Sequence, residues 1–341
     1  MATDLLNFDP ARYLRIQSGA VGLAEQIDGV VADALGSGVT KVVFAGAGGA
    51  GILMQPAADL LRDRSTFRAE VVLPAELVVT DPAWLGRDTL VVIPSLSGTT
   101  AESIAALDHV KAAGARVLVL TGHEGTPLAT KADVSLVNFA EDDTSCESFY
   151  LQSLLLALSV MARTSALDDH AAVVAELERL PALLLEAKAA FEGQALILAE
   201  AIAADSWHIV TGSGTTWPEA FYYGMCILEE MQWIRTRPVH ASDFFHGTLE
   251  LVEPGTSLLL LKGEDATRPL VDRVERFVSG LTDKVLVLDA AQVELPGISP
   301  ATRALVSPVV LAALLERVSA HLEVLRDHPL TTRRYYRRMA Y

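Results

Sequence analysis

The stretch DTLVVIPSLSGTTAESIAALDHV, residues 88–110, decides the fold. Thr89 to Ile93 form an apolar run with no polar alternation, which predicts a strand buried on both faces. The run ends in Ser95, Leu96, Ser97, Gly98, Thr99 and Thr100, and a helical pattern begins at once. Hydroxyls and the free N–H groups of a helix start then converge on one point, an arrangement suited to an anion. Ordinary N-capping by Ser97 or Thr99 is the plainer reading, but one cap needs one hydroxyl and this loop carries several beside a glycine.

The same grammar extends in both directions. KVVFAG (41–46) reads as a buried strand that enters a glycine turn and a helix through QPAADLLRD, and VVLPAELVV continues with strand character. RVLVLTG (116–122) and SLVNFA (135–140) are further strands, residues 12–34 read as a helix, and a long helix starts near Cys146. Unbroken apolar strands alternating with helices predict a parallel sheet covered on both faces, an α/β fold. Residues 169–203 read as a helical connector interrupted at Pro181 and Gly193. The pattern then restarts with WHIVTGSG, a helix over PEAFYYGMCILEEMQWI, the strands SLLLLKG and KVLVLDA, and a last helix from about Pro308 to Leu325. The expected division is 1–168, 169–203 and 204–341, with the outer parts related by internal duplication.

Composition narrows the function. Of 341 residues 51% are hydrophobic, enough for two cores. The longest apolar stretches, such as LQSLLLALSVMA at 151–162, are too short and too polar-flanked for a membrane span. The start MATDLLNFDP carries no secretory pattern, so a cytoplasmic location is expected. Cys146 and Cys226 have no paired spacing, which argues against a disulfide framework or a zinc site. No metal-ligand cluster stands out, and no cofactor is expected. A net charge of −16 argues against nucleic acid as a partner.

Three more constellations stand out. GAGGAG at 46–51 fits the dinucleotide fingerprint, but that motif needs an acid at the end of the next strand. Here Glu70 comes too early and Glu76 lies past Pro74, so a phosphate or sugar site, or tight packing, is the better reading. Gly46, Ala47 and Gly48, with Ser213 in the corresponding turn of the second half, are candidate sugar contacts. Glu229 and Glu230 end an apolar, aromatic helix, where a carboxylate of raised proton affinity suits proton transfer. Helical phase does not choose between them. His246, after two phenylalanines, reads on its own as a structural histidine. The tail RDHPLTTRRYYRRMAY is basic in an acidic protein. A solvated tail is one reading; in the other, Arg333, Arg334 and Arg337, with Tyr336, close over an anionic ligand such as a carboxylate or over a subunit interface.

On these residues the chain resembles the sugar isomerase (SIS) domain family. SLSGTT matches its phosphate loop S-x-S-G-x-T, and GTPLATKAD (125–133), read as a hairpin, resembles the segment that usually follows. The second half is similar to the isomerase unit of glucosamine-6-phosphate synthase, where a glutamate and a histidine stand sixteen residues apart, as Glu230 and His246 do here. Length and the tail DHPLTTRRYY bring the chain closest to fructosamine-6-phosphate deglycases of the fructoselysine-6-phosphate type. Two departures are visible: AGAGGAG offers only backbone where a serine or threonine is usual, and Thr248 replaces the proline of HGPLE.

The resemblance implies two tandem SIS domains, each a three-layer αβα, flavodoxin-like sheet without a nucleotide. It implies Glu230 and His246 as catalytic residues, and Ser95, Ser97, Gly98 and Thr100 as the phosphate site. It also implies a small phosphorylated sugar-amine as substrate. A homo-oligomer, at least a dimer, is expected, with the active site shared between subunits. A phosphosugar isomerase, an enzyme using free ammonia, a non-catalytic sugar-phosphate sensor and a nucleotide-dependent oxidoreductase are the alternatives.

Overall fold

The computed structural model describes residues 5–336 together with 338 and 339; Arg337 lies outside the described residues. The chain separates into two units. The N-terminal unit is Pro10–Pro181, and the C-terminal unit takes in the residues up to Asp9 and those from Ala182 onward.

In the N-terminal unit β1 (Lys41–Ala45), β2 (Arg68–Val72), β3 (Thr89–Ser95), β4 (Arg116–Thr121) and β5 (Val134–Val137) form one sheet. Their order is β2-β1-β3-β4-β5, and every neighbouring pair is parallel. β1 and β3 lie inside the sheet and are buried along their length, which is why they read as unbroken apolar runs. Val91, Ile93, Val117 and Val119 pack against Leu107 and Val110 of helix Ala101–Ala112 and Leu77 of helix Pro74–Thr80. Each such burial contributes roughly 1.5–3 kcal/mol. Helix Ser145–Arg163 covers the opposite face with Pro10–Gly22, Ala24–Gly36 and Gln55–Arg64. Strand order reverses between β1 and β3, so the carboxyl ends of these strands flank the point where such sheets bind ligands.

The C-terminal unit repeats the plan with β6 (Trp207–Gly212), β7 (Arg235–His240), β8 (Ser257–Lys262) and β9 (Val285–Asp289), in parallel order β7-β6-β8-β9. Ile209, Leu258 and Leu260 meet Val271, Val274 and Val278 of helix Arg268–Val278. Residues before Pro10 belong here through a buried ion pair. Arg317, fully buried, holds Glu192 at 2.8 Å and donates to the Leu6 carbonyl at 2.5 Å, while Leu6 N–H donates to Glu192 at 3.0 Å. Burial pushes the Glu192 carboxyl up, but Arg317, the Leu6 N–H and His321 together outweigh it and hold the group below the usual carboxylate range.

Several local expectations change. VVLPAELVV leaves the strand at Val72 and turns helical over Pro74–Thr80, because proline fits the first helical position and cannot pair in a ladder. Residues 12–34 form two helices, GTPLATKAD contains the short helix Pro127–Lys131, and the last helix starts at Pro300 rather than near Pro308. The helix His170–Ala203 runs unbroken through Pro181 and Gly193. Proline costs one backbone bond there, and the buried Leu177, Leu180, Leu184, Ala195 and Leu198 carry the helix past it. Two helices, Ser145–Arg163 and Pro300–Leu325, are long and apolar enough to cross a membrane. Their most apolar windows are 94% and 83% buried inside the protein, so core packing accounts for their composition.

Candidate active site

Gly98 shapes the loop after β3. Its φ of +64° lies in the left-handed region, and a Cβ there would come within 2.1 Å of Thr126 Oγ1. The Gly98 carbonyl accepts from Leu128 N–H at 3.2 Å, which ties the loop to helix Pro127–Lys131. Ser95 Oγ is buried, accepts from Gly98 N–H at 3.2 Å and stands 3.4 Å from Thr100 Oγ1. Ser97 Oγ accepts from the Thr99 N–H at 3.3 Å and its hydroxyl at 3.0 Å. Thr100 is the N-cap of helix Ala101–Ala112, in extended conformation, and its side chain makes no capping bond. The structure thus brings Ser95, Ser97, Gly98 and Thr100 together at a helix start, with N–H donors and hydroxyls suited to a phosphate monoester.

The GAGGAG turn is first a packing device. A Cβ on Gly46 would meet Gly51 Cα at 2.5 Å and Pro94 Cγ at 2.8 Å, and one on Gly51 would meet Gly46 O at 2.2 Å. That seats the turn directly beside β3. Ala47 is half-buried and Gly48 exposed, leaving backbone as the only polar offering. Glu70 lies inside β2, opposite Val43, and the strand ends at Val72 without an acid. The ribose-binding group of a dinucleotide site is missing there.

In the C-terminal unit the helix from Trp217 changes its winding. Trp217–Tyr222 is α-helical and Tyr223–Met231 is a π-helix, a rare form found often at functional sites. Glu229 and Glu230 end it and part company. Glu229 is exposed and accepts from the Thr236 N–H at 3.2 Å and hydroxyl at 2.7 Å. Glu230 is half-buried and accepts from Arg333 Nε at 2.8 Å. Arg333 also donates to the Leu330 and Thr332 carbonyls at 2.6 and 3.0 Å. The tail reaches this point because Gln232 donates to the His328 carbonyl at 2.8 Å and Arg326 to that of Gln232 at 3.2 Å. A cleft of about 940 Å³ opens here, lined by both glutamates, Trp233, Arg333, Arg334 and Tyr336 among others. Burial, with the nearby Glu230 charge, pushes the Cys226 thiol up to about 12, which leaves it unreactive.

His246 is exposed at the end of the turn Asp243–His246 and does not line that cleft. Its turn is fixed from below by edge-on packing of Phe244, Phe245 and Phe277. Thr248 is buried and accepts from Arg237 Nε at 3.0 Å, an anchor that proline could not supply. Ser213 is also outside the cleft. It is buried, and its hydroxyl donates to the Thr267 carbonyl at 3.0 Å.

Comparison with known proteins now bears on these residues. The SIS domain family matches residues 38–162, the segment that carries β1, β3 and the hydroxyl loop. The chain is an SIS-domain protein. It is 27% identical to the fructosamine deglycase of Bacillus subtilis over 93% of this chain and 97% of that one. It is 26% identical to the fructoselysine 6-phosphate deglycase of Escherichia coli K12 over 91% and 89%. A solved Bacillus subtilis structure, a candidate phosphosugar isomerase, superposes with a TM-score of 0.88 at 27% identity, covering 95% of this chain and 99% of that one. The relatives of this SIS-domain protein thus include deglycases.

The second SIS-like sheet treats the equivalent anion position differently. Its loop after β8 holds Asp265, whose carboxylate accepts from the N–H and hydroxyl of Thr215 at 2.8 and 2.6 Å. It also accepts from the N–H and hydroxyl of Thr267 at 2.7 and 2.5 Å. Thr267 precedes helix Arg268–Val278 as Thr100 precedes Ala101–Ala112. Burial pushes the Asp265 carboxyl up, but these bonds outweigh it and hold the group below the usual carboxylate range. A carboxylate of the chain itself fills the second cradle. Sequence reasoning passed over Asp265, although GEDATRP follows the same strand–loop–helix pattern as PSLSGTTA.

Proposed function

We propose that this SIS-domain protein is a deglycase that cleaves a fructosamine 6-phosphate with water, giving glucose 6-phosphate and a free amine. The observation that carries the reading is the likeness to two deglycases along more than nine-tenths of the chain, which takes in both the hydroxyl loop and the segment from Glu230 to His246. The phosphate is held by Ser95, Ser97, Gly98 and Thr100, and this anchoring presents the sugar to the reacting groups. His246 moves a proton at the ring oxygen and opens the ring. Glu230 takes a proton from C1 and returns it at C2 through an enaminol, which turns the ketosamine into a C1 imine. Water adds to the imine carbon, the C–N bond breaks, and the nitrogen leaves with a proton as the amine. His246 serves a homo-oligomer in which it enters the neighbouring subunit's site, consistent with its exposure.

The test is to incubate the purified protein with 6-phosphorylated fructosamines and follow glucose 6-phosphate and free amine. Equal release of both supports the reading. Interconversion of ketose and aldose phosphates without amine release would instead support a phosphosugar isomerase. The similar solved structure favours that second reading, and its first steps are the same.

A further inference from the structure

We propose that the cleft beside the π-helix is the subsite for a carboxylate on the amine half of the substrate, with Arg334 as its receptor and Trp233 as the surface that aims it. The proposal rests on the deglycase reading and names which amines that site accepts.

Trp233 is a bulky residue in the left-handed region, at φ +55°, just past Gln232, the C-cap of the π-helix. Glycine is the usual occupant of such a position, and a large side chain there carries strain that the surroundings must hold. They do hold it: Trp233 N–H donates to the Glu229 carbonyl at 3.2 Å and Ile234 N–H to that of Leu228 at 2.8 Å. The indole is 37% exposed and lines the cleft.

The Arg334 guanidinium lies 3.9 Å over that ring. Stacking spends the face of the guanidinium on the indole and leaves its N–H edge for a planar, bidentate acceptor. Among the described residues no carboxylate pairs with Arg334, whereas Arg333 is engaged by Glu230 and two carbonyls. Arg334 is exposed and lines the cleft. The cleft holds Glu229 and Glu230 as well, which disfavours a second phosphate dianion and suits a singly charged carboxylate.

The chemistry of the substrate places the group. In the fructosamine of an α-amino acid the carboxylate is three bonds from C1, through nitrogen and the α-carbon. Glu230 works at C1, and Arg334 lines the same cleft. An α-carboxylate is the group we assign to Arg334, which shares its cleft with Glu230. A charge-assisted pair of this kind discriminates by about tenfold or more.

The experiment compares the 6-phosphorylated fructosamines of alanine and of ethylamine, which differ only in the carboxylate. The expected result is a kcat/KM at least about tenfold higher for the alanine compound, with the ratio falling to near one in Arg334→Gln and part of the way in Trp233→Leu. Similar kcat/KM for both compounds in the parent would overturn the subsite and leave the deglycase reading standing. A ratio unchanged in Arg334→Gln would overturn the role of that residue. Turnover of neither compound would overturn both.

Discussion

The Asp265 carboxylate accepts from both the backbone N–H and the hydroxyl of Thr215. The C-terminal unit therefore carries its own anion where the N-terminal unit places the hydroxyls of Ser95, Ser97 and Thr100. Removing that anion as Asp265→Ala strands four donors on Thr215 and Thr267. The expected cost is about 1.5–3 kcal/mol, read from denaturant midpoints, with partial rescue by added phosphate. The Asp265 carboxyl is held below its unfolded value of about 3.9, so its stabilisation is complete above that pH and is lost as pH falls through the folded value. The lead of the parent over Asp265→Asn should be constant near neutrality and shrink only below about pH 4.

Glu230 and Glu229 should separate cleanly in kinetics. Glu230→Gln is expected to lower kcat by about 10²- to 10⁴-fold with substrate binding near normal. Glu229, exposed and bonded to Thr236, should tolerate the same change with activity near the parent's. If Glu229→Gln is the dead variant, the assignment is reversed.

His246 is assigned to ring opening, and an analogue lacking the 5-hydroxyl cannot close its furanose ring. His246→Ala should slow the ordinary substrate by about 10²-fold or more and process that analogue at close to the parent's rate. An equal loss on both substrates would place His246 in a later step.

Gly98→Ala pushes a methyl against Thr126 and strains a left-handed backbone. A loss of roughly 1–3 kcal/mol is expected in thermal unfolding. KM should rise more for phosphorylated substrates than stability alone explains, since the same residue sets the hydroxyls of Ser95 and Ser97. An unchanged KM would separate the loop from substrate binding.

Most of the legible strands have no wet face, while the half-buried edge strands β5 and β9 were read from the apolar runs SLVNFA and KVLVLDA. β1, β3, β4, β6 and β8 are almost wholly buried, and burial on both sides leaves no polar alternation to misread. β7 escaped because RTRPVH is an edge strand, half exposed and with a proline, and its polarity mimics a loop. The hydroxyl loop was legible because several hydroxyls exceed what a cap requires. The choice of Glu230 over Glu229 was not readable from helical phase, since Tyr223–Met231 has no composition that sets a π-helix apart from an α-helix. The tail announced itself by charge, but its bond to Glu230 depends on Gln232 and His328, which carry no such signal.

The wider winding at Tyr223–Met231 also governs how this site tolerates change. Substitutions along that segment alter side chains one at a time and leave the direction of its last turn in place. Losing a single residue is different in kind. It would rotate everything downstream by roughly 100°, carry Glu230 away from Arg333, and bring a neighbour round in its place. The position of the Glu230 carboxylate is thus robust to point mutation and brittle to deletion, and variation within this stretch should conserve its length more strictly than its letters.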